Sequence, residues 1–572
     1  MTPEEWIAHD PDPATAAALA ACSPDELAAL FAGSLTFGTA GLRGPLRAGP
    51  SGMNLAVVLR ASWALARVLT DRCLGGSAVI VGRDARHGSE QFAVAAAEVF
   101  AAQGFSVTLL PRPLPTPVVA FGVRHTGAAA GVQITASHNP ATDNGYKVYL
   151  DGGLQIIPPS DHEIEAAIAA APFADEVARA PVEASGAELV AEYIARAAAV
   201  RRTTGSPRVA LTPLHGVGGA TAVEVLRRAG FNDVHTVATQ FEPDPDFPAV
   251  AFPNPEEPGA VDALLGLAAD VDADVAVALD PDADRCAIGI PTPDGWRMLS
   301  GDETGWLLGE YILSHAPAGS VVASTIVSSR MLAAIAAAHG ARHAETLTGF
   351  KWLARAAGSD LVYAYEEAIG HCVDPAAVRD KDGISAAVLC CDLVAALRVG
   401  GRSVPDMLDD LARQHGVHLT SAAAARTDDP GAVMARLRAA PPARLGGIEV
   451  TMTDMLARRG RLHTDALILS GGDERTSVRL AVRPSGTEPK VKGYIEVRQA
   501  VAGDLAAARD TAETLRAAVE KVVVTLCHRA GEGPRPSHRA GEGPRPSHRA
   551  GQGPRPSHRA GQGPRPNQRG PN

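Results

Sequence analysis

Short apolar runs alternate with amphipathic stretches along most of the chain. The runs are rich in Val and Ile, whereas the stretches between them repeat Ala and Leu at helical spacing and often end at Gly. We interpret the runs as strands and the stretches as helices. The predicted strands are residues 77–84, 106–110, 131–137, 208–216, 273–280 and 361–367, and the clearest predicted helices are residues 90–104 and 220–230.

This alternation is typical of α/β layers with largely buried sheets. The later part of the chain differs, because residues 477–498 hold two strand-like runs around a Gly/Pro loop and residues 504–526 form one long helical pattern. We therefore expect a separate α+β domain there. A chain of 572 residues exceeds what one hydrophobic core supports, so about three or four domains are expected.

Residues 528–572 form a tail of different composition. They repeat the decapeptide HRAGEGPRPS and its Gln variants and contain almost nothing apolar to bury. We expect a disordered tail with polyproline II character. The repeat is interpreted either as a passive expansion or as a weak basic tether to an acidic partner.

Charge narrows the range of partners. The tail carries nine Arg and two Glu, a net charge of +7, so the other 527 residues carry −18. Nucleic-acid binding needs clustered Lys and Arg, and so acidic a core argues against it. Hydrophobic residues make up 46% of the chain and charged residues 20%, which is ordinary for a globular enzyme.

Cysteine usage and hydropathy indicate the compartment. The seven cysteines include no C-x-x-C pair, so we expect neither a disulfide framework nor a zinc site, and we predict a cytoplasmic protein. The first residues lack a basic and apolar leader, and no run of about 18 apolar residues occurs. We therefore expect no membrane-spanning segment.

Unusual polar motifs follow three of the predicted strands. They are TASHNP (135–140), DPDADR (280–285) and YEEAIG (365–370). In open α/β sheets, ligands bind in the crevice beyond the carboxyl ends of the strands. The three motifs therefore predict a cleft that is shared between domains.

Three carboxylates alternate in DPDADR, at Asp280, Asp282 and Asp284. Such close negative charges need a cation, and oxygen ligands suit Mg²⁺ or Ca²⁺. A calcium loop of the EF-hand type is excluded, because Arg285 and Pro291 stand where Gly and Glu are required. A phosphatase that uses the first Asp as nucleophile and a solvated acidic turn both stay open.

Arginines beside these carboxylates and in RPSGTEPK (483–490) indicate phosphate chemistry. Arg285 can grip a phosphoryl oxygen next to a metal. Arg483 offers a fork of donors, and the loop after it adds the hydroxyls of Ser485 and Thr487 and the small Gly486. We interpret the loop as a phosphate clamp, with a β-turn carrying a surface Arg as the alternative.

These motifs, in this order and with FGTAGLRG (37–44) before them, resemble the α-D-phosphohexomutase family, which includes phosphoglucomutase and phosphomannomutase. The resemblance covers about residues 20–526. FGTAGLRG, LTGFKW (347–352) and YEEAIG are most similar to the subgroup with the mammalian-type phosphopentomutase and glucose-1,6-bisphosphate synthase.

The resemblance implies an α/β fold of four domains around a central cleft. Three related α/β domains with mixed sheets would span residues 1–202, 203–316 and 317–440. A C-terminal α+β domain, residues 441–527, would close over the substrate and bind phosphate. Residues 528–572 would follow as the tail.

For catalysis, the resemblance implies that Ser137 carries a phosphoryl group. The serine and the three aspartates would share one Mg²⁺, and glucose 1,6-bisphosphate would be the activating intermediate. His138, Lys147 and Lys381 are candidates for handling the serine proton, and we favour the two lysines, with His138 supporting the serine loop. Arg43 would reach the reacting phosphate.

For substrate binding, the resemblance implies recognition of one small sugar phosphate in two orientations. Glu366 and Glu367 would accept hydrogen bonds from sugar hydroxyls, and Lys351 would line the sugar site. The clamp with Lys492 would hold the phosphate that does not react. Many family members have Ser two residues after the first glutamate, where this chain has Ala368.

We predict an intramolecular phosphotransferase that acts on glucose 1-phosphate, with mannose 1-phosphate as a second substrate. The alternatives are a phosphopentomutase, a sugar-bisphosphate synthase or sugar-phosphate binding protein with weak mutase turnover, and a metal-dependent phosphatase that releases free phosphate.

Overall fold

The computed structural model describes residues 1–38, 41–150, 152–250, 252–485 and 490–528. Three consecutive α/β units, each with its own mixed sheet, precede an antiparallel C-terminal sheet with two helices. The predicted α/β class and the separate C-terminal α+β domain are thereby confirmed. The disordered tail was predicted for residues 528–572. Of these, residues 529–572 lie outside the described part of the chain.

The first unit begins with short helices and then forms a six-stranded sheet with helices on both faces. Its helices are α1 (Pro3–Ala8), α2 (Pro13–Ala20), α3 (Pro24–Leu30), α4 (Leu55–Asp71), α5 (Ser89–Ala102), α6 (Thr116–Thr126), α7 (Ser160–Ala169) and α8 (Ala187–Ala198), with a 3-10 turn at Ala174–Glu176. Its strands are β1 (Leu42–Pro45), β2 (Ala78–Arg83), β3 (Ser106–Leu109), β4 (Ala130–Ile134), β5 (Asp143–Leu150) and β6 (Leu154–Gln155).

The strand order of this sheet is β1-β5-β4-β2-β3, with β6 beside β5. Strand β2 is parallel to β3 and β4, whereas β5 is antiparallel to β4 and to β1. The antiparallel return of β5 places Lys147 opposite Gln133 of β4. Residues after the carboxyl end of β4 can therefore meet side chains that β5 presents.

The second unit repeats this plan with a sheet in the order β11-β10-β9-β7-β8. Strands β7, β8 and β9 are parallel, and β10 returns antiparallel along β9. Its elements are β7 (Val209–Thr212), α9 (Gly218–Arg228), β8 (Val234–Thr236), α10 (Ala238–Phe241), α11 (Asp262–Asp270), β9 (Val275–Leu279), β10 (Cys286–Thr292) and β11 (Gly295–Met298).

The third unit has a four-stranded sheet in the order β13-β12-β14-β15. Strands β12, β13 and β14 are parallel, and β15 is antiparallel to β14. Its elements are α12 (Gly301–Leu313), β12 (Val321–Thr325), α13 (Met331–Ala338), β13 (Arg342–Thr346), α14 (Phe350–Leu353), β14 (Leu361–Glu366), β15 (Gly370–Cys372), α15 (Gly383–Val399) and α16 (Val404–His415).

The C-terminal sheet is antiparallel throughout, in the order β16-β22-β21-β20-β19. Helices α17 and α18 pack on its strands. Its elements are β16 (Val417–Arg426), α17 (Pro430–Ala439), the pair β17 (Arg444–Leu445) and β18 (Ile448–Glu449), β19 (Thr451–Asp454), a 3-10 turn at Met455–Ala457, β20 (Leu467–Gly472), β21 (Thr476–Pro484), β22 (Lys490–Gln499) and α18 (Leu505–His528).

Two of the predicted domain boundaries, at residues 316 and 440, separate a helix or a strand from the sheet on which it packs. The boundary at residue 440 leaves β16 in the third domain, but β16 pairs with β22 along its whole length. The boundary at residue 316 leaves α12 in the second domain, although α12 packs on β14 of the third sheet. We propose boundaries near residues 300 and 416 instead, because a strand or helix belongs with the sheet that buries it.

Helix α15 lies at the centre of the three α/β units. Every residue from Gly383 to Ala395 is buried, and the helix packs against α8, α9, α12 and β10. Asp382 caps its first turn by accepting hydrogen bonds from the amides of Ile384 and Ser385, each 3.1 Å long. A helix that is apolar on all sides is stable only inside a core. Helix α15 therefore holds the three units together around residues 380–382, the segment that precedes it.

Among the described residues, no single helix is both long and apolar enough to cross a membrane. Taken together, α15 and α16 meet that test by length and composition, but the pair is bent by 89°.

Two helical glycines predict opposite effects on stability. A methyl group at Gly305 of α12 would lie 2.5 Å from the buried ring of Tyr365, whereas one at Gly266 of α11 would meet nothing within 4 Å. We expect Gly305→Ala to destabilise the protein by about 1–3 kcal/mol through overpacking. Gly266→Ala, the matched control, should stabilise it by up to about 1 kcal/mol. Thermal unfolding midpoints check this, and equal midpoints for the two variants would contradict it.

Candidate active site

Three buried carboxylates follow β9, where the chain turns tightly into β10. Asp280, Asp282 and Asp284 are at most 1% exposed, and one ligand oxygen from each lies within 4.8 Å of the others. The turn is closed by a 2.8 Å hydrogen bond from the amide of Ala283 to the carbonyl of Asp280. Alternation along this turn brings the three side chains to one side, as the spacing in DPDADR predicts.

Two lysines from other units neutralise part of this charge. Lys147 Nζ on β5 lies 2.6 Å from Asp282 Oδ2 and 2.8 Å from Asp284 Oδ2. Lys381 Nζ, just before α15, lies 3.3 Å from Asp284 Oδ2. Although burial opposes ionisation, the charges of the two lysines and of Arg285 lower the pKa of Asp284. Burial and the two neighbouring carboxylates raise the pKa of Asp280 well above its usual range.

Two carboxylate oxygens of the cluster have no hydrogen-bond donor. Asp282 Oδ1 and Asp284 Oδ1 are buried, and they accept no hydrogen bond from the residues that the structure describes. Buried polar atoms without a partner are rare and call for an explanation. Oxygen-only donors in this number fit a hard divalent cation. The cluster can therefore hold a metal ion.

Ser137 lies directly beside this cluster. It follows β4, is 3% exposed and has a backbone φ of +54°, in the left-handed region. Its Oγ donates a 2.8 Å hydrogen bond to Asp280 Oδ2, and its amide donates to Thr135 Oγ1 at 2.9 Å. A left-handed conformation at a non-glycine residue is costly and clusters at functional sites. The turn thus aims the hydroxyl at the carboxylates.

His138 contacts the same hydroxyl, with its Nδ1 3.3 Å from Ser137 Oγ. Burial lowers the pKa of His138 well below its usual value, and the charges of Arg285 and Arg43 lower it further. Arg43, on β1, donates a 3.1 Å hydrogen bond to Asn139 Oδ1 in the same loop. Both predicted residues therefore flank the serine.

Arg86 organises the serine loop, and we did not predict it. Its Nη2 donates to the carbonyls of Ser137 and Asn139 at 2.5 and 2.7 Å, and its Nη1 donates to the carbonyl of Pro140 at 2.7 Å. Asp84 holds the guanidinium through a 3.2 Å ion pair. The local signal was slight, because Arg83 and Asp84 only end the predicted strand 77–84 and Arg86 follows two residues later.

Thr116 is a second residue that sequence reasoning missed. Its hydroxyl donates a short hydrogen bond to Asp282 Oδ2, and its amide donates a 2.9 Å hydrogen bond to the carbonyl of the same residue. Thr116 is the first residue of α6, so the sequence shows nothing beyond an ordinary helix start. Its contact joins the first unit to the carboxylate turn.

Arg285 and Glu366 face each other at the entrance to the cluster. Arg285 Nη2 lies 3.8 Å from Glu366 Oε1, and Arg285 forms an isolated β-bridge with Gly370. Burial raises the pKa of Glu366. Glu367 is held by a different loop, since its Oε2 accepts hydrogen bonds from Ser328 Oγ at 2.8 Å and from Thr325 Oγ1 at 3.1 Å.

The segment around Lys381 is held by the first unit. Asp380 Oδ2 accepts hydrogen bonds from Tyr149 at 2.9 Å and from Gln155 at 2.6 Å. Asp382 Oδ1 accepts another, 2.9 Å long, from Tyr193. With Lys381 between these two anchored aspartates, its ammonium group is fixed toward Asp284.

The remaining predicted binding residues lie on the third and C-terminal sheets or next to them. Lys351 is 5% exposed, and its Nζ lies 5.2 Å from the centre of the Trp352 ring. Arg483 Nη2 donates a 3.3 Å hydrogen bond to the hydroxyl of Tyr494. Burial and the nearby charge of Glu367 raise the pKa of Tyr494.

The structure describes part of the predicted phosphate clamp, namely Arg483, Ser485 and Lys492. The amide of Ser485 donates to the carbonyl of Lys490 at 2.9 Å, which closes the loop, and Lys492 stands opposite Arg483 in the strand register. Gly486 and Thr487 lie outside the described residues. Arg483 Nε is buried and has no hydrogen-bond partner within the described ranges.

The geometry combines a hydroxyl, a carboxylate cluster with unpaired oxygens, and several cations. Positioning and neutralisation of charge are what phosphoryl transfer requires. The structure brings Ser137, the three aspartates, Lys147 and Lys381 into direct contact. Arg43 and Arg285 lie around them, and Glu366 faces Arg285.

Three family models match consecutive parts of the chain. They are described as phosphoglucomutase/phosphomannomutase α/β/α domains I, II and III, and they match residues 34–175, 191–292 and 300–415. They cover the three α/β units and each of the three polar motifs that follow predicted strands.

Two curated relatives and one solved structure extend this similarity. A "Probable phosphomannomutase" of Haemophilus influenzae is 39% identical over 468 residues, which cover 78% of this chain and 93% of the relative. A mouse "Phosphopentomutase" is 33% identical over 553 residues, covering 86% and 89%. A crystal structure of a phosphoglucomutase/phosphomannomutase family protein from Burkholderia thailandensis shares the fold, with a TM-score of 0.64 and 21% identity over 84% of this chain and 97% of that one.

The carboxylate cluster predicts one divalent-cation site per chain. We expect Mn²⁺ to bind the purified protein in isothermal titration calorimetry, and Asp282→Asn to weaken the binding by more than about tenfold, the loss typical even of residues that act through a metal ligand. Asp262→Asn removes an exposed carboxylate elsewhere and should leave the affinity unchanged. Equal Mn²⁺ affinity in the wild type and Asp282→Asn would contradict the assignment.

Proposed function

The chain belongs to the α-D-phosphohexomutase family of phosphoglucomutases and phosphomannomutases, and from that premise we propose that it interconverts glucose 1-phosphate and glucose 6-phosphate. It is an intramolecular phosphotransferase by family, and its relatives are named for sugar phosphates. We propose mannose 1-phosphate and mannose 6-phosphate as a second substrate pair, because a relative at 39% identity is named as a phosphomannomutase.

One observation carries the proposal. The Ser137 hydroxyl lies 2.8 Å from Asp280, inside a cluster of carboxylates that two lysines from other units also contact. A hydroxyl in such a place can carry a phosphoryl group whose charge is neutralised on all sides. The family match supports the same assignment, because TASHNP and DPDADR lie within the matched domains I and II.

We propose that phosphorylated Ser137 donates its phosphoryl group to the free hydroxyl of the sugar phosphate. The bond between phosphorus and Ser137 Oγ breaks as a bond to the sugar oxygen forms; the sugar hydroxyl gives its proton to a base in the cleft, and the serine oxygen takes up a proton. The product of this step is a sugar bisphosphate, glucose 1,6-bisphosphate for the glucose substrate. After the sugar reorients, its other phosphate returns to Ser137; the serine hydroxyl gives up its proton, and the released sugar oxygen takes one up.

We propose that Asp280, Asp282 and Asp284, together with the phosphorylated Ser137, hold Mg²⁺. When bound, this ion supplies charge neutralisation for the transferring phosphoryl group. Lys147 and Lys381 complete the phosphoryl-binding and proton-handling shell, since both ammonium groups reach the carboxylates. His138 supports the serine loop through its contact with the hydroxyl.

Recognition of the sugar and of its second phosphate involves the other sheets. We propose that Glu366 and Glu367 accept hydrogen bonds from sugar hydroxyls and that Lys351 lines the same subsite. Arg43 and Arg285 would contact the reacting phosphate. The clamp of Arg483, Ser485, Gly486, Thr487 and Lys492 would hold the other phosphate. The buried Nε of Arg483, which finds no hydrogen-bond partner among the described residues, supports this role.

Phosphopentomutase activity is the second candidate. The mouse relative with that name is 33% identical over most of both chains. Glucose and pentose phosphates differ by a ring carbon, and discrimination on that scale depends on the placement of groups rather than on residue types. A sugar-bisphosphate synthase with weak mutase turnover would use the same serine.

We also propose a cytoplasmic location. The six cysteines whose side chains the structure describes are all free thiols, at positions 22, 73, 286, 372, 390 and 391. Free thiols in this number fit a reducing compartment.

The phosphoserine assignment makes a direct prediction. Mass spectrometry should find one phosphate on Ser137, and Ser137→Ala should lower turnover by about a thousandfold or more, because a covalent nucleophile is lost. Ser62→Ala is the matched control, since this buried serine hydrogen-bonds Tyr146 at 3.0 Å and lies outside the proposed site. It should keep its turnover. Full turnover in Ser137→Ala would refute the assignment.

A panel of sugar 1-phosphates tests which sugar the protein prefers. With Mg²⁺ and a trace of glucose 1,6-bisphosphate, we expect glucose 1-phosphate to give the highest kcat/KM, mannose 1-phosphate to follow, and ribose 1-phosphate to be slowest. Coupled assays for the 6- or 5-phosphate and for free phosphate separate the outcomes. Preference for ribose 1-phosphate would favour the pentomutase, and release of free phosphate would favour a phosphatase.

A further inference from the structure

A short loop after β12 contacts both the proposed sugar site and the C-terminal sheet. This loop, residues 325–330, connects β12 to α13 within the third unit. It lies at the carboxyl end of a parallel strand, where ligands of such sheets bind. Ser328 and Ser329 within it are 2% and 1% exposed, so their contacts are internal to the protein.

One side of the loop holds Glu367. Ser328 Oγ and Thr325 Oγ1 both donate to Glu367 Oε2, and the two hydroxyl oxygens lie 2.9 Å apart. The Thr325 hydroxyl also accepts the amides of Val327 and Ser328 at 3.3 and 3.2 Å. The orientation of Glu367 therefore depends on the backbone of this loop.

The other side of the loop holds Glu496 of β22. Glu496 Oε1 accepts hydrogen bonds from Ser329 Oγ at 2.7 Å and from the amide of Arg330 at 2.8 Å, and Oε2 accepts from Arg330 Nε at 3.1 Å. His418 of β16 contributes a fourth contact, with its Nδ1 2.8 Å from Glu496 Oε1. Glu496 itself is 4% exposed.

A second residue of the C-terminal sheet grips the same loop. Arg479, which stands opposite Glu496 in the strand register, donates from Nη2 to the carbonyl of Ile326 at 2.5 Å. The sheet that carries Arg483 is thus attached to the loop at two neighbouring points. Residues that share one hydrogen-bond network are coupled energetically.

We propose that Glu496 is a positioning residue that couples the seating of the C-terminal sheet to the orientation of Glu367. When the C-terminal sheet is docked on the loop, Glu496 accepts hydrogen bonds from Ser329 and Arg330. Ser328, which precedes them, then donates to the Glu367 carboxylate. Binding of the second phosphate on this sheet and recognition of sugar hydroxyls by Glu367 then stabilise each other. The inference rests on the proposed function in two respects, the assignment of Glu367 to the sugar site and of the second phosphate to the C-terminal sheet.

The test compares Glu496→Ala with Asp409→Asn. Asp409 of α16 pairs with Arg509 of α18 at 2.5 Å, so its variant also removes the negative charge from a contact between the third unit and the C-terminal sheet and helices, but does not touch the loop. Hydrogen–deuterium exchange of segments 325–330 and 361–370 is measured together with KM and kcat for glucose 1-phosphate.

We expect Glu496→Ala to speed exchange in both segments and to raise KM about tenfold while kcat changes less than about threefold, a size common for coupling within one network. Glu496→Gln keeps an acceptor and should recover much of the loss. Asp409→Asn should leave exchange and KM unchanged. Should Glu496→Ala fail to fold, Ser329→Ala, which removes one hydrogen bond to Glu496 and the acceptor of the Met331 amide, is judged by the same criteria.

A lower unfolding midpoint in Glu496→Ala, with exchange in 361–370 and KM unchanged, would show a merely structural role and overturn the inference. Faster exchange with unchanged KM would also overturn it, because the coupling would not reach the sugar. Exchange requires no turnover. If no sugar phosphate is isomerised, the proposed function is refuted, but unchanged exchange of 361–370 in Glu496→Ala still overturns the coupling of the sheet to Glu367, and faster exchange still supports it.

Discussion

Three carboxylates buried at the end of one strand impose the main constraint on this structure. Taking ionised carboxylates out of water is expensive unless cations and hydrogen bonds compensate. Arg285 of the second unit supplies part of the compensation, and the groups in direct side-chain contact come from other units. Lys147 and Thr116 come from the first unit and Lys381 comes from the third. The charge of Asp280, Asp282 and Asp284 can be buried only when the three units are assembled, so the active site and the arrangement of the units depend on each other.

The same dependence explains why the surroundings of the cluster are so fully bonded. Lys381 is carried by a segment whose flanking aspartates are gripped by Tyr149, Gln155 and Tyr193 of the first unit. The serine loop is held by one arginine whose own charge is paired with Asp84. Each group near the transferring phosphoryl is thus fixed through a neighbour, and such preorganisation lowers the reorganisation needed during reaction. The left-handed backbone at Ser137 is tolerated because the loop is fixed from several sides.

The sequence predicted the parts of this arrangement that are local. Short apolar runs marked strands, the close spacing of Asp in DPDADR indicated a cation site, and the order of the motifs indicated the family. Arg86, Thr116 and Asp380 were not predicted, because their roles arise only when distant segments meet. Thr116 is 166 residues from the carboxylate that it contacts. The boundary that we propose near residue 416 could not be found locally either, since β16 pairs with β22, which lies far along the chain.

The two ends of the cleft are built differently, and this difference has a mechanistic consequence. At the proposed phosphoryl end, contacts from three units hold the aspartates and the lysines, which suits the proposed reaction at one serine in both half-reactions. At the proposed sugar end, Glu367 is held by a loop that the C-terminal sheet also holds. The proposed bisphosphate turns over between half-reactions, so it needs a site that is firm at the reacting phosphate and can be released at the other. An attachment of a few hydrogen bonds between loop and sheet can open at modest cost, whereas the buried carboxylates cannot separate from their lysines without exposing uncompensated charge.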